Sequence, residues 1–426
     1  MPRFLLFFAI GALGAASSAA QTTDVHAGRL VDPAAGKVLT DQRIRIVDGK
    51  IASVVPWRDA DGPAAIDWSG ETVLPGLIDL HTHLADGAID PNESDPAAPL
   101  KRSEARTILM GAKAASIELR SGFTTVRDVG VYRGLTDIAL RDSINAGEVE
   151  GPRMFVAGGY ITTPGGGGEI DALAPDIPLP ETFRIGEVHN PADARDRARY
   201  LLDHGADFIK LIATGAVLAI GSEPGALELS PEEMKAACDE AKLRGSYCIA
   251  HAHGAEGIKA AIRAGARTIE HASYLDAEGI ALAKKYGVWL DMDIYNGDWI
   301  NEVGTKQGWP AEYLRKNLET TDVQRRGFAA AVKAGAKMTF GTDAGVYPYG
   351  LGARQFAYMV RYGMSPMQAI QAATSEAARA LGKEGQVGAV SAGAYGDLVA
   401  VSGDPLSDIR TLEQVAGVMK EGRLVR

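Results

Sequence analysis

Short apolar runs alternate with longer amphipathic stretches between residues 76 and about 345, and this alternation constrains the fold most. The eight runs are 77–84, 124–129, 154–160, 208–214, 247–253, 268–273, 288–294 and 338–342. Helical patterns separate them, among them 103–120, 191–204, 231–244, 256–264, 277–286 and 321–334. Because parallel strands need crossover helices and eight of them close around a filled interior, the pattern predicts an α/β fold, a (β/α)8 TIM barrel. A doubly wound open sheet is the alternative, but no glycine fingerprint follows the first run.

The two ends of the chain have a different texture from the middle. Residues 24–73 read as short strands with turns at Asp48-Gly49 and Asp61-Gly62, and the same texture returns at 395–402 and 415–424. We therefore expect residues 21–75 and 385–426 to form one small composite β-sandwich. The barrel is expected to occupy residues 76–384.

The first twenty residues have the pattern of a signal peptide. Arg3 precedes an apolar run at 4–16, and Ser18-Ala19-Ala20 offers the small residues that signal peptidase prefers. A run of about 13 apolar residues is too short to span a bilayer, which needs roughly 20. We expect cleavage after Ala20, a secreted or periplasmic protein, and no membrane span in the mature chain.

Charge and cysteine usage narrow the classes of partner. The chain has 44 Lys and Arg against 54 Asp and Glu, a net charge of -10, and no basic run. Nucleic acid is therefore not an expected partner, because phosphate binding needs clustered positive charge. Cys238 and Cys248 are expected to be core thiols rather than a bridge, because one lies in a predicted helix and the other in a buried strand.

Residues able to bind metal lie at the ends of the predicted strands, and one lysine lies inside a strand. Five of the eight histidines are among them, together with a lysine and an aspartate: His81, His83, Lys210, His251, His253, His271 and Asp343. Any one of these histidines alone would more often be a hydrogen-bonded core or loop residue. In a barrel, however, the C-terminal ends of all strands meet at one mouth. The set therefore predicts a metal site.

Lys210 is unusual because it lies inside an aliphatic strand, where an unpaired ammonium is costly. A neutral amine beside a metal centre can react with carbon dioxide to form a carbamate, an anionic ligand able to bridge two cations. The alternative is a salt bridge from Lys210 to Asp343 or Glu270.

The order His-x-His, lysine, histidine, histidine, aspartate resembles the amidohydrolase superfamily, as do the segments Leu-Pro-Gly-Leu-Ile-Asp at 74–79 and Gly-Thr-Asp-Ala-Gly at 341–345. Further segments are similar to the branch containing metal-dependent Xaa-Pro dipeptidases, imidazolonepropionase-like proteins and ochratoxin-hydrolysing amidases. These segments are His-Asn-Pro-Ala-Asp at 189–193, Gly-Ala-Asp-Phe-Ile-Lys-Leu at 205–211, Ala-His-Ala-His-Gly at 250–254 and Ile-Glu-His at 269–271. The resemblance covers nearly all of residues 24–426.

The resemblance implies two divalent metal ions, with zinc as the default. His81 and His83 would hold the first ion with Asp343, and His251 and His271 the second. An N6-carboxylated Lys210 would bridge the two ions together with a hydroxide. Asp343 would accept a proton from the attacking water and return it to the leaving nitrogen, so that no serine or cysteine nucleophile is needed.

Substrate contacts are expected from three further residues. The resemblance places His253 where relatives contact the substrate's carboxylate, although a structural histidine is the alternative. Tyr295 and Trp299, with other aromatic residues nearby, could wall an apolar pocket, and packing within a lid is the alternative. We expect Arg127 and Asp128 to form a structural ion pair.

Two loops depart from the family pattern. Residues 162–168, Thr-Thr-Pro followed by four glycines, lack the histidine that many relatives carry after the third strand. The usual proline-threonine after the seventh strand is replaced by Asp-Met-Asp-Ile-Tyr at 291–295. Substrate recognition is therefore expected to differ more than metal binding.

Together these features predict a secreted amidohydrolase with two metal ions that cleaves N-acyl amino acids or dipeptides. The C-terminal residue would be hydrophobic or aromatic, as in ochratoxin A, an aryl amide of phenylalanine. A cyclic amide hydrolase of the imidazolonepropionase type is the alternative, and a non-catalytic metal-binding barrel would require a missing ligand. The partners expected are a small-molecule substrate and further copies of the chain in a homo-oligomer.

Overall fold

The structure is a computed structural model, and it describes residues 21–86, 97–170, 173–174 and 176–426. The predicted signal peptide and its cleavage site after Ala20 lie outside the described residues. Among the helices in the described part of the chain, none combines the length and the apolar character needed to cross a membrane.

Strands and helices alternate through the middle of the chain. The strands are β1 (Thr22–Asp32), β2 (Lys37–Val47), β3 (Lys50–Pro56), β4 (Ile66–Pro75), β5 (Leu77–Thr82), β6 (Phe123–Asp128), β7 (Arg153–Val156), β8 (Tyr160–Ile161), β9 (Ile209–Ile212), β10 (Cys248–Ala252), β11 (Thr268–His271), β12 (Trp289–Asp291), β13 (Met338–Thr339), β14 (Leu398–Val401), β15 (Val415–Lys420) and β16 (Arg423–Leu424). The helices are α1 (Glu104–Arg120), α2 (Thr136–Asn145), α3 (Pro191–Asp203), α4 (Pro231–Leu243), α5 (Ala255–Ala264), α6 (Ala277–Tyr286), α7 (Asn296–Trp299), α8 (Thr305–Gln307), α9 (Ala311–Lys333), α10 (Arg354–Arg361), α11 (Pro366–Ala372) and α12 (Ser375–Leu381).

Strands β5 to β13 form two parallel sheets that follow the chain order. The first contains β5, β6 and β7, and the second contains β8 to β13. The predicted third run, 154–160, is divided between β7 and β8, with Gly158 between them at a φ of +75°. Hydrogen bonds from Leu80 N to Phe340 O (2.9 Å) and from Asp343 N to His81 O (2.8 Å) join β5 to the segment that follows β13.

The strands of these sheets are buried on both faces, which explains their nearly continuous apolar sequences. Every residue of β5, β6, β9, β10 and β11 is buried. The helices begin where capping residues satisfy their first amide groups. Ser230 forms a capping box with Glu233 at the start of α4, and Asn190 caps α3 ahead of Pro191.

Both ends of the chain contribute to one seven-stranded sheet, in the order β16-β15-β14-β4-β1-β2-β3. β14 pairs antiparallel with β4, with Leu398 opposite Pro75, and this pairing joins the C-terminal segment to the N-terminal one. The sheet has its own apolar cluster, which includes Val25, Ile44 and Trp68. Its last N-terminal strand, β4, leads directly into β5 and so fixes where the first predicted metal ligands begin.

The prediction of two free core thiols is wrong, because Cys238 and Cys248 form a disulfide with their Cα atoms 5.2 Å apart. Cys238 lies on α4 and Cys248 begins β10. The chain reverses between them at Gly245, which has a φ of +74°, so the helix packs back against the strand that follows it. A helix and a strand ten residues apart can therefore bring two Cα atoms within bridging distance.

Candidate metal centre

The strand ends bring the predicted ligands to one cavity of about 930 Å³, a volume that includes its opening to solvent. His81 lies on β5, Lys210 on β9, His251 on β10 and His271 at the end of β11. His83 follows β5, and Asp343 follows β13. All six side chains line this cavity, as does His253.

Among the described residues, four groups of side chains in or beside the cavity have their ligand atoms close together, and two of these groups hold most of the predicted ligands. One is His81, His83 and Asp343, and the other is His251, His253 and His271, with ligand atoms within 4.8 Å of one another in each group. Asp343 Oδ1 lies 3.4 Å from His81 Nε2 and 3.3 Å from His83 Nε2. The ring centroids of His81 and His271 are 4.8 Å apart, so the two groups adjoin.

Outward hydrogen bonds fix the orientation of three of the histidine rings. His83 Nδ1 contacts the Gly130 carbonyl at 3.0 Å, His271 Nδ1 contacts Asp293 at 2.9 Å, and His251 Nε2 contacts the Gly215 carbonyl at 3.2 Å. A ring nitrogen that donates to an oxygen leaves the other nitrogen of the neutral imidazole free as a metal ligand. These three rings therefore fit a metal site.

His81 fits in a different way. Its Nδ1 is buried and 3.2 Å from Glu270, but it has no hydrogen-bond partner within the described part of the chain. Burial, with help from the nearby Lys210, lowers the pKa of His81 well below its usual value. The ring is therefore neutral, which is the form that binds a metal ion.

Lys210 is buried, with 1% of its surface exposed, and no hydrogen bond or ion pair to its ammonium occurs among the described residues. Burial lowers the pKa of Lys210 to about 8. The alternative salt bridges do not form, because Glu270 pairs with Arg127 at 3.0 Å and Asp343 contacts the two histidines of its group. A lysine that loses its proton this easily suits reaction with carbon dioxide.

The expected ion pair between Arg127 and Asp128 is wrong. Arg127 bonds Glu270, while Asp128 accepts hydrogen bonds from the Thr82 hydroxyl at 3.0 Å and from Leu84 N at 2.7 Å. Adjacent residues on a strand point to opposite faces, and this separates the two side chains. Arg127 therefore belongs to the floor beneath the candidate metal centre.

Two residues of the site have a left-handed backbone conformation that residues other than glycine rarely adopt. His271 has a φ of +65° and Asp343 a φ of +58°. Left-handed backbone at residues other than glycine persists only where the surroundings impose it, and it is concentrated at functional sites. The conformation turns both side chains toward the cavity at the ends of their strands.

A hydrogen-bonded group behind the ligands was missed by sequence reasoning. Asn296 Nδ2 donates to Asp343 Oδ2 at 2.9 Å and to Asp293 Oδ2 at 2.6 Å, and Gln324 donates to Asp293 Oδ1 at 2.9 Å. The departure noted at 291–295 was the available signal, since it puts Asp293 just beyond the end of β12. Gln324 comes from α9, and no local pattern indicated it.

The predicted substrate contacts divide into two classes. His253 lines the cavity, and its Nδ1 lies 2.7 Å from the Ser273 hydroxyl. Tyr295 and Trp299 are absent from the described lining and pack behind it, with ring centroids 5.1 Å and 6.4 Å from that of Tyr347. The apolar part of the lining consists instead of Tyr132, Tyr160, Ile212, Ala216, Val217, Leu218, Ile300 and Val346.

Comparison with known protein families gives a match over residues 72–425 to the amidohydrolase family. The chain belongs to the amidohydrolase family. This amidohydrolase is 30% identical over 439 residues to ochratoxinase from Aspergillus niger, a match that covers 97% of this chain and 88% of that protein. It is 27% identical to imidazolonepropionase from a Methylobacterium strain, over 85% of this chain and 87% of that protein.

Solved structures place the amidohydrolase in the same branch. A Xaa-Pro dipeptidase with bound methionine has a TM-score of 0.87 and 36% identity, and the match covers 95% of this chain and 99% of that one. The crystal structure of Aspergillus niger ochratoxinase has a TM-score of 0.83 and 29% identity, with 96% of each chain covered. The predicted family and branch are confirmed, and the protein is a metal-dependent hydrolase acting on amide bonds.

Proposed function

We propose that this amidohydrolase uses two metal ions to cleave the amide bond between an acyl group and a C-terminal amino acid, in N-acyl amino acids or dipeptides. The convergence of the six predicted ligands on one cavity, with the outward nitrogens of three histidine rings already bonded, carries the proposal. The ochratoxinase and Xaa-Pro dipeptidase relatives support the same type of bond.

His81, His83 and Asp343 would hold the first ion, His251 and His271 the second, and a carboxylated Lys210 would bridge them. Zinc is the expected metal, because imidazole and carboxylate ligands in this number suit it. When bound, the ions lower the pKa of a water molecule and polarise the substrate carbonyl.

Asp343 moves the proton in this proposal. Its Oδ1 faces His81 and His83, whereas its Oδ2 accepts the Asn296 amide and keeps a lone pair for a proton. The carboxylate takes a proton from the attacking water at Oδ2 and passes it to the leaving nitrogen. Asn296 holds the carboxylate in the orientation that this transfer needs.

His253 binds the substrate's carboxylate. Its Nδ1 lies 2.7 Å from the Ser273 hydroxyl, and in the tautomer that this role needs Nδ1 would accept from that hydroxyl while Nε2 would carry the proton and donate it to the carboxylate. The apolar lining around Leu218 and Ile300 receives a hydrophobic or aromatic side chain, such as the phenylalanine of ochratoxin A. Tyr295 and Trp299 support this lining from behind.

The proposal extends to the whole chain. Residues 76–384 would close as a barrel, favoured by the hydrogen bond from Leu80 N to Phe340 O. Residues 21–75 and 385–426, which share one seven-stranded sheet, would fold as a β-sandwich. Residues 1–20 would direct secretion or export to a periplasm. The disulfide between Cys238 and Cys248 favours such an oxidising compartment, and we expect a homo-oligomer.

A cyclic amide hydrolase is the second candidate, favoured by the imidazolonepropionase relative. The test compares kcat/KM of the zinc-loaded protein for N-acetyl-phenylalanine with that for hydantoin and imidazolone substrates. We expect the N-acyl amino acid to be turned over at least about tenfold more efficiently. Faster ring opening would reject the first proposal in favour of the second.

A further inference from the structure

One buried cation behind the cavity wall has no part in the chemistry described above. Lys316, on α9, has none of its side chain exposed. Its ammonium donates to three backbone carbonyls of a single segment, those of Ala216 at 3.3 Å, Ser222 at 2.6 Å and Ala219. It also pairs with Glu312 at 2.9 Å.

The three carbonyls belong to residues 215–223, which we name the clamp loop. Within it, Ala216, Val217 and Leu218 line the cavity, and the Gly215 carbonyl accepts from His251 Nε2. Leu218 also packs against the aromatic cluster of Tyr295, Ile300, Trp309, Val346 and Tyr347. The clamp loop therefore supplies one apolar wall of the cavity.

The ammonium replaces the regular hydrogen bonds that this segment lacks. The clamp loop contains neither helix nor strand, so its carbonyls need partners from elsewhere in the fold. A lysine has three donors and no acceptor, which suits three inward-facing carbonyls. Glu312 completes the arrangement, since it balances the charge and accepts from Gly221 N at 3.0 Å.

We propose that Lys316 is a positioning residue for substrate selectivity. By holding three carbonyls of the clamp loop, it keeps Val217 and Leu218 against the cavity and so maintains the surface that a hydrophobic side chain of the substrate contacts. Lys316 itself does not reach the substrate. The inference rests on the proposed function for the identity of the substrate. The hydrogen bonds between Lys316 and the clamp loop do not depend on that function.

Substrate kinetics separate selectivity from simple stabilisation. Lys316→Met keeps the alkyl stem and removes the ammonium. We expect KM for N-acetyl-phenylalanine to rise about tenfold with kcat within about twofold, while both constants for N-acetylglycine stay within about twofold. A parallel loss for both substrates would overturn the proposal and leave Lys316 a general stabilising residue.

Leu218→Ala shortens the wall directly, and the double variant shows whether the two residues act together. If Lys316 acts through the wall, Lys316→Met adds at most about twofold to the KM effect of Leu218→Ala. Multiplication of the two separate effects would contradict the proposal. Lys306→Met is the control, because Lys306 is exposed and pairs only with Glu302 among the described side chains.

Hydrogen exchange without substrate tests the clamp independently of the reaction. In Lys316→Met, amides of residues 215–223 should exchange at least about tenfold faster, with strands β9 to β11 unchanged. Unchanged hydrogen exchange in the clamp loop would contradict the proposal, whatever the substrate kinetics show. If the wild-type protein cleaves neither N-acyl amino acid, the proposed function fails while the exchange result still stands.

A second variant guards against misfolding of Lys316→Met. Glu312→Gln removes the charge at the exposed side of the clamp and leaves the ammonium in place. It should accelerate exchange in the same amides by a smaller factor of about three, with a matching rise in KM for N-acetyl-phenylalanine. No change in either measurement would count against the clamp.

Discussion

Three histidines of the candidate metal centre, His83, His251 and His271, are oriented by hydrogen bonds of their outward ring nitrogens. Asp293, the partner of His271 Nδ1, also accepts hydrogen bonds from the side-chain amides of Asn296 and Gln324. Burial alone would lower the pKa of His271, but the facing Asp293 carboxylate raises it. A ligand histidine tied to a carboxylate keeps one tautomer and is a stronger base. The partner of a ligand therefore matters alongside the ligand itself.

Asp293→Asn should weaken the site formed by His251 and His271. Losing the carboxylate partner of a ligand histidine typically lowers metal affinity roughly 10- to 100-fold. We expect the metal content measured by mass spectrometry after dialysis to fall from two ions toward one per chain. Asp322→Asn, at an exposed position on α9, is the control. Retention of two ions by Asp293→Asn would contradict this role.

The buried pair of Arg127 and Glu270 predicts a large stability effect. Both side chains are fully buried, and they lie 3.0 Å apart. Arg127→Met leaves Glu270 without its partner, which should lower the free energy of unfolding by about 3–5 kcal/mol in urea titrations. Arg120→Met removes an exposed pair with Glu150 and should cost less than about 1 kcal/mol. Equal effects of the two changes would be inconsistent with this description.

At the scale of elements, the packing of helices and strands brings distant residues to the site and also buries ionisable side chains, which affects stability. α1 buries Glu118, whose Oε1 accepts from Gly350 N at 3.0 Å while its Oε2 has no partner in the described part of the chain. Burial raises the pKa of Glu118 to about 7. An acid of this kind makes the stability of the helix packing depend on pH.

Glu118 should lower stability as the pH rises. Its pKa is about 7 in the folded chain and about 4.5 otherwise, so the folded state retains a proton that the unfolded state has released. The stabilisation that protonated Glu118 gives the folded state is complete below about pH 4.5 and is lost as the pH rises through 7. The free energy of unfolding should fall by up to about 3 kcal/mol over this range. Urea unfolding at pH 5 and pH 8 should show a smaller pH difference in Glu118→Gln than in the wild type. An identical difference would refute this assignment.

The disulfide joins α4 to β10, the strand that carries His251. In the chain-entropy view, a bridge closing about ten residues contributes about 2–3 kcal/mol. The paired change Cys238→Ser and Cys248→Ser should lower the free energy of unfolding by that amount. Thiol titration of the denatured wild-type protein should give no free thiols before reduction and two after it. Two free thiols in the unreduced protein would restore the original sequence prediction.

At the scale of the whole molecule, periodicity predicted the strand-helix alternation, and the strand ends predicted where ligands would meet. His81, Lys210 and Asp343 are far apart in sequence but line one cavity, since parallel strands end at one edge. The partners of these residues could not be predicted in the same way. Asn296, Gln324 and Lys316 act through tertiary contacts that leave no periodic signal. The disulfide was missed because helix-to-strand packing, not spacing, sets its distance.

The proposed centre holds two metal ions with side chains from five strands. Its most direct test is a crystal structure of the protein purified with zinc, with anomalous diffraction recorded at the zinc edge. We expect two peaks, one among His81, His83 and Asp343 and one between His251 and His271, with a carboxylated Lys210 between them. An unmodified Lys210 with no peak in the cavity would contradict it.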